Sequence, residues 1–262
     1  MRLKRKKKEQ TTVLSRARGM LGEPGNRVRL IVGLLLCILA TVAVLYMVSA
    51  LSLLVSFDVI YTTAPQLALM IEIAFVALQL AALLMLCAPL YLGLYSMALV
   101  MRRGAPCTFA DLFVFFDSPS EYIRGVGISA FLFGRGYPFL ILYLLSFAAT
   151  VTGELLLSSI VGIAVLPLIL LGVYTTGRSY PFLTFALCNP TVPLGRVMVI
   201  CKGMTRKRLL AIFVFRMRLL WRFVLSLFSV GVITLLHTIP HAVFATHEFS
   251  FSLARQHMAE LN

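Results

Sequence analysis

Acidic residues are scarce in this sequence: 10 Asp and Glu stand against 24 Lys and Arg in 262 residues, and charged side chains make up only 13% of the chain. A typical soluble domain is about 25% charged and about half apolar. Here 60% of the residues are hydrophobic and the mean hydropathy is +0.94. So few charges cannot solvate a water-soluble domain of this length. The 262 residues fit one membrane domain and leave no room for a large soluble one beside it.

Other absences narrow the chemistry. There is no Gly-rich phosphate loop, no Gly-x-Ser-x-Gly and no His-Glu-x-x-His, so the signatures of P-loop nucleotide chemistry, serine hydrolysis and zinc proteolysis are missing. The five cysteines, Cys37, Cys87, Cys107, Cys188 and Cys201, are odd in number and form no Cys-x-x-Cys pair. Reduced, structural thiols are therefore expected. No catalytic residue and no cofactor is assigned.

What the sequence does have is apolar length. Leu30 to Phe57 is 28 residues without a charged side chain, where about 20 helical residues cross a bilayer core of about 30 Å. In lipid only helices and closed barrels satisfy their own backbone. The runs here are continuous, unlike the alternating strands of roughly 10 residues that build a barrel. The expected fold is all-α, a polytopic transmembrane helical bundle of six helices in three hairpins. The helices fall at about 29–57, 66–101, 127–149, 155–176, 209–228 and 232–254, after a basic tail (1–28) and before a short C-terminal tail (255–262). Residues 209–246 hold only Arg216, Arg218 and Arg222 as charges. They also admit an interfacial basic helix followed by one crossing from Phe223 to Thr246, which gives five helices. Bends are expected at Pro89 and Gly93, at Pro167 and Gly172, and at Pro240. The run from Pro89 to Tyr95 echoes that from Pro167 to Tyr174, as hairpins repeated about the membrane normal would.

Charge sets the orientation. The turns before the second and fourth helices carry Asp58 and Glu154 and no Lys or Arg; the basic residues lie in the other segments or within helices. This positive-inside pattern puts the N-terminus, and in the six-helix reading the C-terminus, in the cytoplasm. Arg2, Lys4, Arg5, Lys6, Lys7 and Lys8 open the chain like a signal peptide, but the apolar run that follows exceeds the roughly 7–15 residues of a signal core. A retained first helix is expected. The net charge of +14 then points to anionic lipids at the cytoplasmic face, not to nucleic acid.

Several side chains stand out. Glu72 lies inside the second helix, and Gln79, seven residues on, shares its face, forming a polar intramembrane seam. Arg206, Lys207, Arg208, Arg216, Arg218 and Arg222 surround Trp221. They read as snorkelling cations or as contacts to an anionic lipid or partner, and Arg135 has the same two readings. Asp111, Phe113 and Phe116 fall on a short amphipathic helix, 109–116, capped by Thr108, and suggest cytoplasmic docking. His237 and His241 are four apart, a spacing that can hold a metal, but Pro240 disturbs that turn and no carboxylate cluster accompanies them.

The order of short motifs resembles a bacterial integral membrane family catalogued as domain of unknown function nine-seventy-five. The segments that carry the likeness are Ala88-Pro89-Leu90 with Gly93, Asp111-Leu112-Phe113 with Phe116, Pro167, Tyr180-Pro181, Asn189-Pro190, Cys201-Lys202-Gly203, Trp221 and Pro240-His241. Together they span roughly 66–250. The chain departs from the family pattern at Ala88, Leu168 and His241. The resemblance implies a multi-helix protein of a bacterial, Gram-positive plasma membrane and supplies no activity.

Two functions follow as expectations. The first is a non-enzymatic scaffold, accessory or regulatory membrane protein, working with a membrane-protein partner, a second copy of itself or anionic lipid. The second is a small transporter or channel-like carrier with its seam at Glu72 and His237/His241. A membrane-embedded enzyme acting on lipid is the remote third. The topology is directly checkable: a reporter fused after Asn262 should read cytoplasmic, and an extracytoplasmic signal would rule out the six-helix arrangement.

Overall fold

Pro24 opens the first helix, α1 (Pro24–Leu53), where a residue without an N–H loses nothing. The computed structural model describes residues 13, 15–17, 19, 24–53, 65–139, 141–142, 145–146, 155–229 and 232–261; for some helical residues, Glu72 and His237 among them, it describes the backbone alone. Among these residues every regular element is helical. The chain packs as two units, 24–129 and 130–262 with 1–23, and each is described by itself.

In the first unit α1 starts five residues before the expected 29, and 54–57 of the expected helix lie outside the described residues. Beyond Arg29 it is apolar on all sides, with Leu34, Cys37 and Val44 inward and Leu39, Val42, Tyr46 and Met47 outward, a pattern consistent with a helix that meets protein on one side and lipid on the other. The expected second helix forms as α2 (Pro65–Ala82), one π-helical turn (Leu83–Cys87) and α3 (Ala88–Arg102). Pro89 causes the turn. It offers no N–H to the carbonyl four residues back, that of Met85, and its ring crowds it. The helix widens, so that the Ala88 N–H donates to Leu83, five residues back. The Tyr122 hydroxyl donates to the Met85 carbonyl at 3.1 Å. α3 ends in a Schellman motif: Gly104, at φ +72°, donates to Met101 at 3.0 Å and Ala105 to Val100 at 3.3 Å. α1 and α3 run antiparallel, Gly33 meeting Met97 and Thr41 meeting the Tyr91 hydroxyl at 3.3 Å.

The expected amphipathic helix over 109–116 is corrected to two 3₁₀ turns, Phe109–Leu112 and Val114–Phe116. A 3₁₀ turn repeats every three residues. That puts Leu112 and Phe115 inward together and Phe113 and Phe116 outward together. The Leu112 carbonyl rests on Gly93, where any Cβ would overlap it. α4 (Pro119–Arg135) begins eight residues before the expected 127. Ser118 caps it by accepting the Glu121 N–H at 3.3 Å, with Pro119 at the first position.

In the second unit the positions described between 137 and 146 are helical. Then follow α5 (Leu155–Arg178), α6 (Phe182–Cys188), α7 (Leu194–Thr205), α8 (Leu209–Ser229) and α9 (Val232–Leu261). Pro167 and Pro240 lie inside α5 and α9. α5 runs antiparallel to the chain around 135–139: Thr175 donates to the Arg135 carbonyl at 2.9 Å, and the Phe139 ring lies against Gly172. α8 and α9 are also antiparallel. Phe215 stacks on Phe249 at 4.1 Å, and Arg222 meets His241 at 3.5 Å. Part of the expected tail is ordered too, since Val13 and Ala17, four apart on one helical face, are buried.

Three helices among the described residues are long and apolar enough to cross a membrane: Gly25–Leu51, Ile73–Arg102 and Ser159–Cys188. Of the other three expected spans, 127–149 holds Arg135 and lies partly outside the described residues, 209–228 holds Arg216, Arg218 and Arg222, and 232–254 holds Glu248. Gly93→Ala should destabilise the first unit by about 1–3 kcal/mol, the range for overpacking a core. Gly33→Ala, which meets only the end of the Leu94 side chain at 3.1 Å, should cost less. Thermal unfolding in detergent checks the order of the two variants.

Candidate functional site

The first unit presents one built surface. The Thr108 N–H and hydroxyl donate to Asp111 Oδ2 at 2.6 and 3.2 Å, closing a capping box over the first 3₁₀ turn. Asp111 is thus occupied in holding the turn. The turn in turn holds Phe109, Phe113 and Phe116 outward at 43, 45 and 40% exposure. Phe113 and Phe116 lie 6.5 Å apart, and Phe116 lies 5.7 Å from Tyr122. Cys107, beside Asp111, is buried, and burial, then the neighbouring Asp111, pushes its thiol up to about 11. Gln79 is half-buried on α2; Glu72 lies in α2, its side chain outside the described residues.

The second unit carries a buried polar seam along α9. His241, His247, Glu248 and Ser250 are all buried, and each has a partner. His247 Nδ1 is 3.0 Å from the Thr184 hydroxyl of α6. Glu248, 2% exposed, pairs with Arg16 at 3.9 Å. Ser250 donates to the Thr246 carbonyl at 2.8 Å. Tyr180, between α5 and α6, is the hub. Its hydroxyl donates to Thr246 at 3.1 Å, its ring meets Phe215 and Phe249 edge-on at 6.0 and 5.9 Å, and Arg216 lies 5.7 Å over it.

The basic residues separate by burial. Arg206 and Lys207 are exposed, whereas Arg208 is buried and donates to the Leu253 carbonyl at 2.7 Å, so it braces α9. Arg216 is half-buried and donates to Thr176 on α5 at 2.7 Å. Arg218 and Arg222 are half-buried, Trp221 is exposed, and Arg222 faces His241. Arg135 lies over the Phe131 ring at 5.0 Å. His237 lies in α9 with its side chain outside the described residues. Among the described residues no three His, Cys, Asp or Glu side chains gather as a metal site would require.

Sequence reasoning missed Arg16, Thr184 and the central role of Tyr180. Tyr180 could be seen only as part of a Tyr-Pro pair, and Thr184 and Arg16 sit 63 and 232 positions from their partners. No local spacing encodes such contacts. Compared with protein-family models, curated proteins and solved structures, the chain matches none.

Burial also pushes the Cys201 thiol, on α7, up to about 12. A thiol whose pKa is raised stays protonated and unreactive until the pH approaches that value. Cys107 and Cys201 should therefore resist a water-soluble maleimide at pH 8 in the folded protein and react with it after denaturation; mass spectrometry of labelled peptides reads both.

Proposed function

We propose that this chain is a multi-pass protein of a bacterial plasma membrane, with both termini cytoplasmic, acting without catalysis as a scaffold, accessory or regulatory subunit. The observation that carries this reading is the aromatic surface on the capped 3₁₀ turns. Leu112 and Phe115 already fill the core of that segment, so folding makes little use of Phe109, Phe113 and Phe116. Three large rings held outward on a rigid, capped turn suit a partner that supplies the missing apolar face. Their place between Arg102-Arg103 and Arg124 supports a cytoplasmic position through the positive-inside rule. The motif order supports a place in the bacterial family of unassigned activity that the sequence resembles.

A transporter is the second reading. It is favoured by the π-helical turn at Leu83–Cys87 and by the buried polar seam on α9, since broken helices and intramembrane polar groups line transport paths.

The two separate in one experiment. The protein is extracted from its own membrane in native lipid discs, and everything that travels with it is identified by mass spectrometry. A stoichiometric protein partner or second copy is expected, lost in Phe113→Ser/Phe116→Ser while the melting temperature holds. A chain that emerges alone, with the variant indistinguishable, overturns the scaffold reading and moves the weight to flux assays on Glu72 and His241 variants.

A further inference from the structure

A groove of about 240 Å³ opens between α5 and α8, lined by Leu170, Tyr174, Gly177, Leu210, Phe213 and Arg216 among others. Its walls are apolar except for one guanidinium. A closed small-molecule site holds roughly 300–1,000 Å³, so this slot suits a segment of a chain lying along it, not a whole compact ligand. The slot has no Cβ at its floor, because Gly177 stands there with only the Leu209 side chain within 4 Å. Its rim residues Leu210, Leu170 and Tyr174 are exposed at 76, 61 and 43%, as a face turned to lipid would be.

Among the described residues the cations at this groove meet no anion. Arg216 is half-buried, and its partners are neutral: the Thr176 hydroxyl at 2.7 Å and the Tyr180 ring at 5.7 Å. Reaching Thr176 and Tyr180 carries its guanidinium to the C-terminal end of α5, where Arg178 begins. Arg178 lies over the ring of groove-lining Tyr174 at 4.8 Å, and its buried Nε has no hydrogen-bond partner among the described residues. Tyr174, Gly177 and Arg178 share one helical face by their spacing. No carboxylate among the described residues pairs with either arginine. Two such charges beside an apolar slot, in a medium that solvates neither, demand a negative charge from outside.

We infer that the α5–α8 groove binds one phospholipid with an anionic headgroup, its phosphate on Arg216 and Arg178 and an acyl chain along Leu170, Leu210 and Phe213. The inference rests on the membrane placement proposed above, not on the partner surface. A guanidinium is the side chain that meets a phosphate through two parallel donors. A free phosphate would match the charge and leave the apolar slot unfilled; a lipid without a phosphate would do the reverse, and a zwitterionic one would bring a cation of its own to the two arginines.

Native mass spectrometry of the isolated full-length protein in detergent tests this. The probes are phosphatidylglycerol and phosphatidylcholine of identical chains, with diacylglycerol and inorganic phosphate as the two half-ligands. One phosphatidylglycerol should be retained per chain, and each other probe should bind at least about tenfold more weakly: phosphatidylcholine because its choline cation offsets the phosphate charge beside the two arginines, the half-ligands because each lacks either the charge-assisted contact or the chain. Arg216→Gln should lower phosphatidylglycerol occupancy about tenfold and leave diacylglycerol, which has no phosphate, unchanged. Arg103→Gln, which removes an exposed cation from the other unit, should change neither. Gly177→Leu keeps both arginines and fills the slot, and it should lose the lipid as well; it carries the test if Arg216→Gln does not fold. Equal binding of the two phospholipids, binding of phosphate alone as tight as that of the lipid, or a dimer that Gly177→Leu dissolves would each overturn the assignment. Because no partner is present, the result stands whether or not the aromatic surface proves to dock one.

Discussion

A donor or acceptor carried into apolar surroundings needs a partner, and this constraint organises the molecule. The hydroxyls show it most simply. Thr41, Ser146, Thr175, Thr176, Ser179, Thr205, Thr246 and Ser250 each donate to the carbonyl four residues back along their own helix, which lets a polar residue sit in a membrane-type helix without a distant partner. Where a helix itself breaks the rule, another element repairs it. Pro89 orphans the carbonyl of Met85, the helix loosens into a π turn, and Tyr122 supplies the missing donor. A bend at Pro89 therefore depends on a tyrosine 33 positions away in sequence.

Much of this architecture was legible because it depends on composition and local pattern. Apolar length identified α1, the α2–α3 helix and α5, and the boundary between α8 and α9 fell within a residue or two of the expected turn near Gly231. Thr108 and Asp111 formed the cap that their spacing implies. The misread start of α4 had a local signal as well, since Ser118-Pro119-Ser120-Glu121 is a helix-start pattern; hydropathy outweighed it because the first turns of α4 are polar. The 3₁₀ turns were not legible. Asp111, Leu112, Phe113 and Phe116 suit an amphipathic α-helix equally well, and only the close approach of Leu112 to Gly93 selects the tighter winding.

Among the basic residues, sequence reading recognised the cluster but could not sort it. Arg206, Lys207 and Arg208 are consecutive and chemically alike, yet only the third turns inward to the Leu253 carbonyl. Arg208 directly precedes α8, so its side chain follows the helix face that packs on α9, while its two neighbours project from the turn. Arg216 lies eight residues further on, close to two turns of helix, on the side facing α5. Helical phase separates structural from available cations here, and phase depends on where the helix starts, which a run of basic residues does not reveal.

The ion pair between Glu248 and Arg16 makes a related point about the N-terminal segment. Glu248 is 2% exposed, whereas Arg16 is 50% exposed, and their closest atoms are 3.9 Å apart. A buried carboxylate facing a half-solvated guanidinium at that distance gains little net stability, because desolvation of the acid offsets most of the attraction. What holds the segment is the apolar face of Val13 and Ala17, both buried; the charge pair selects its register. An apolar docking face without Arg16 could slide by a turn, and Glu248 without a cation nearby would be a buried charge with a large solvation cost. The two together tie a stretch of the basic N-terminus to the longest helix of the second unit.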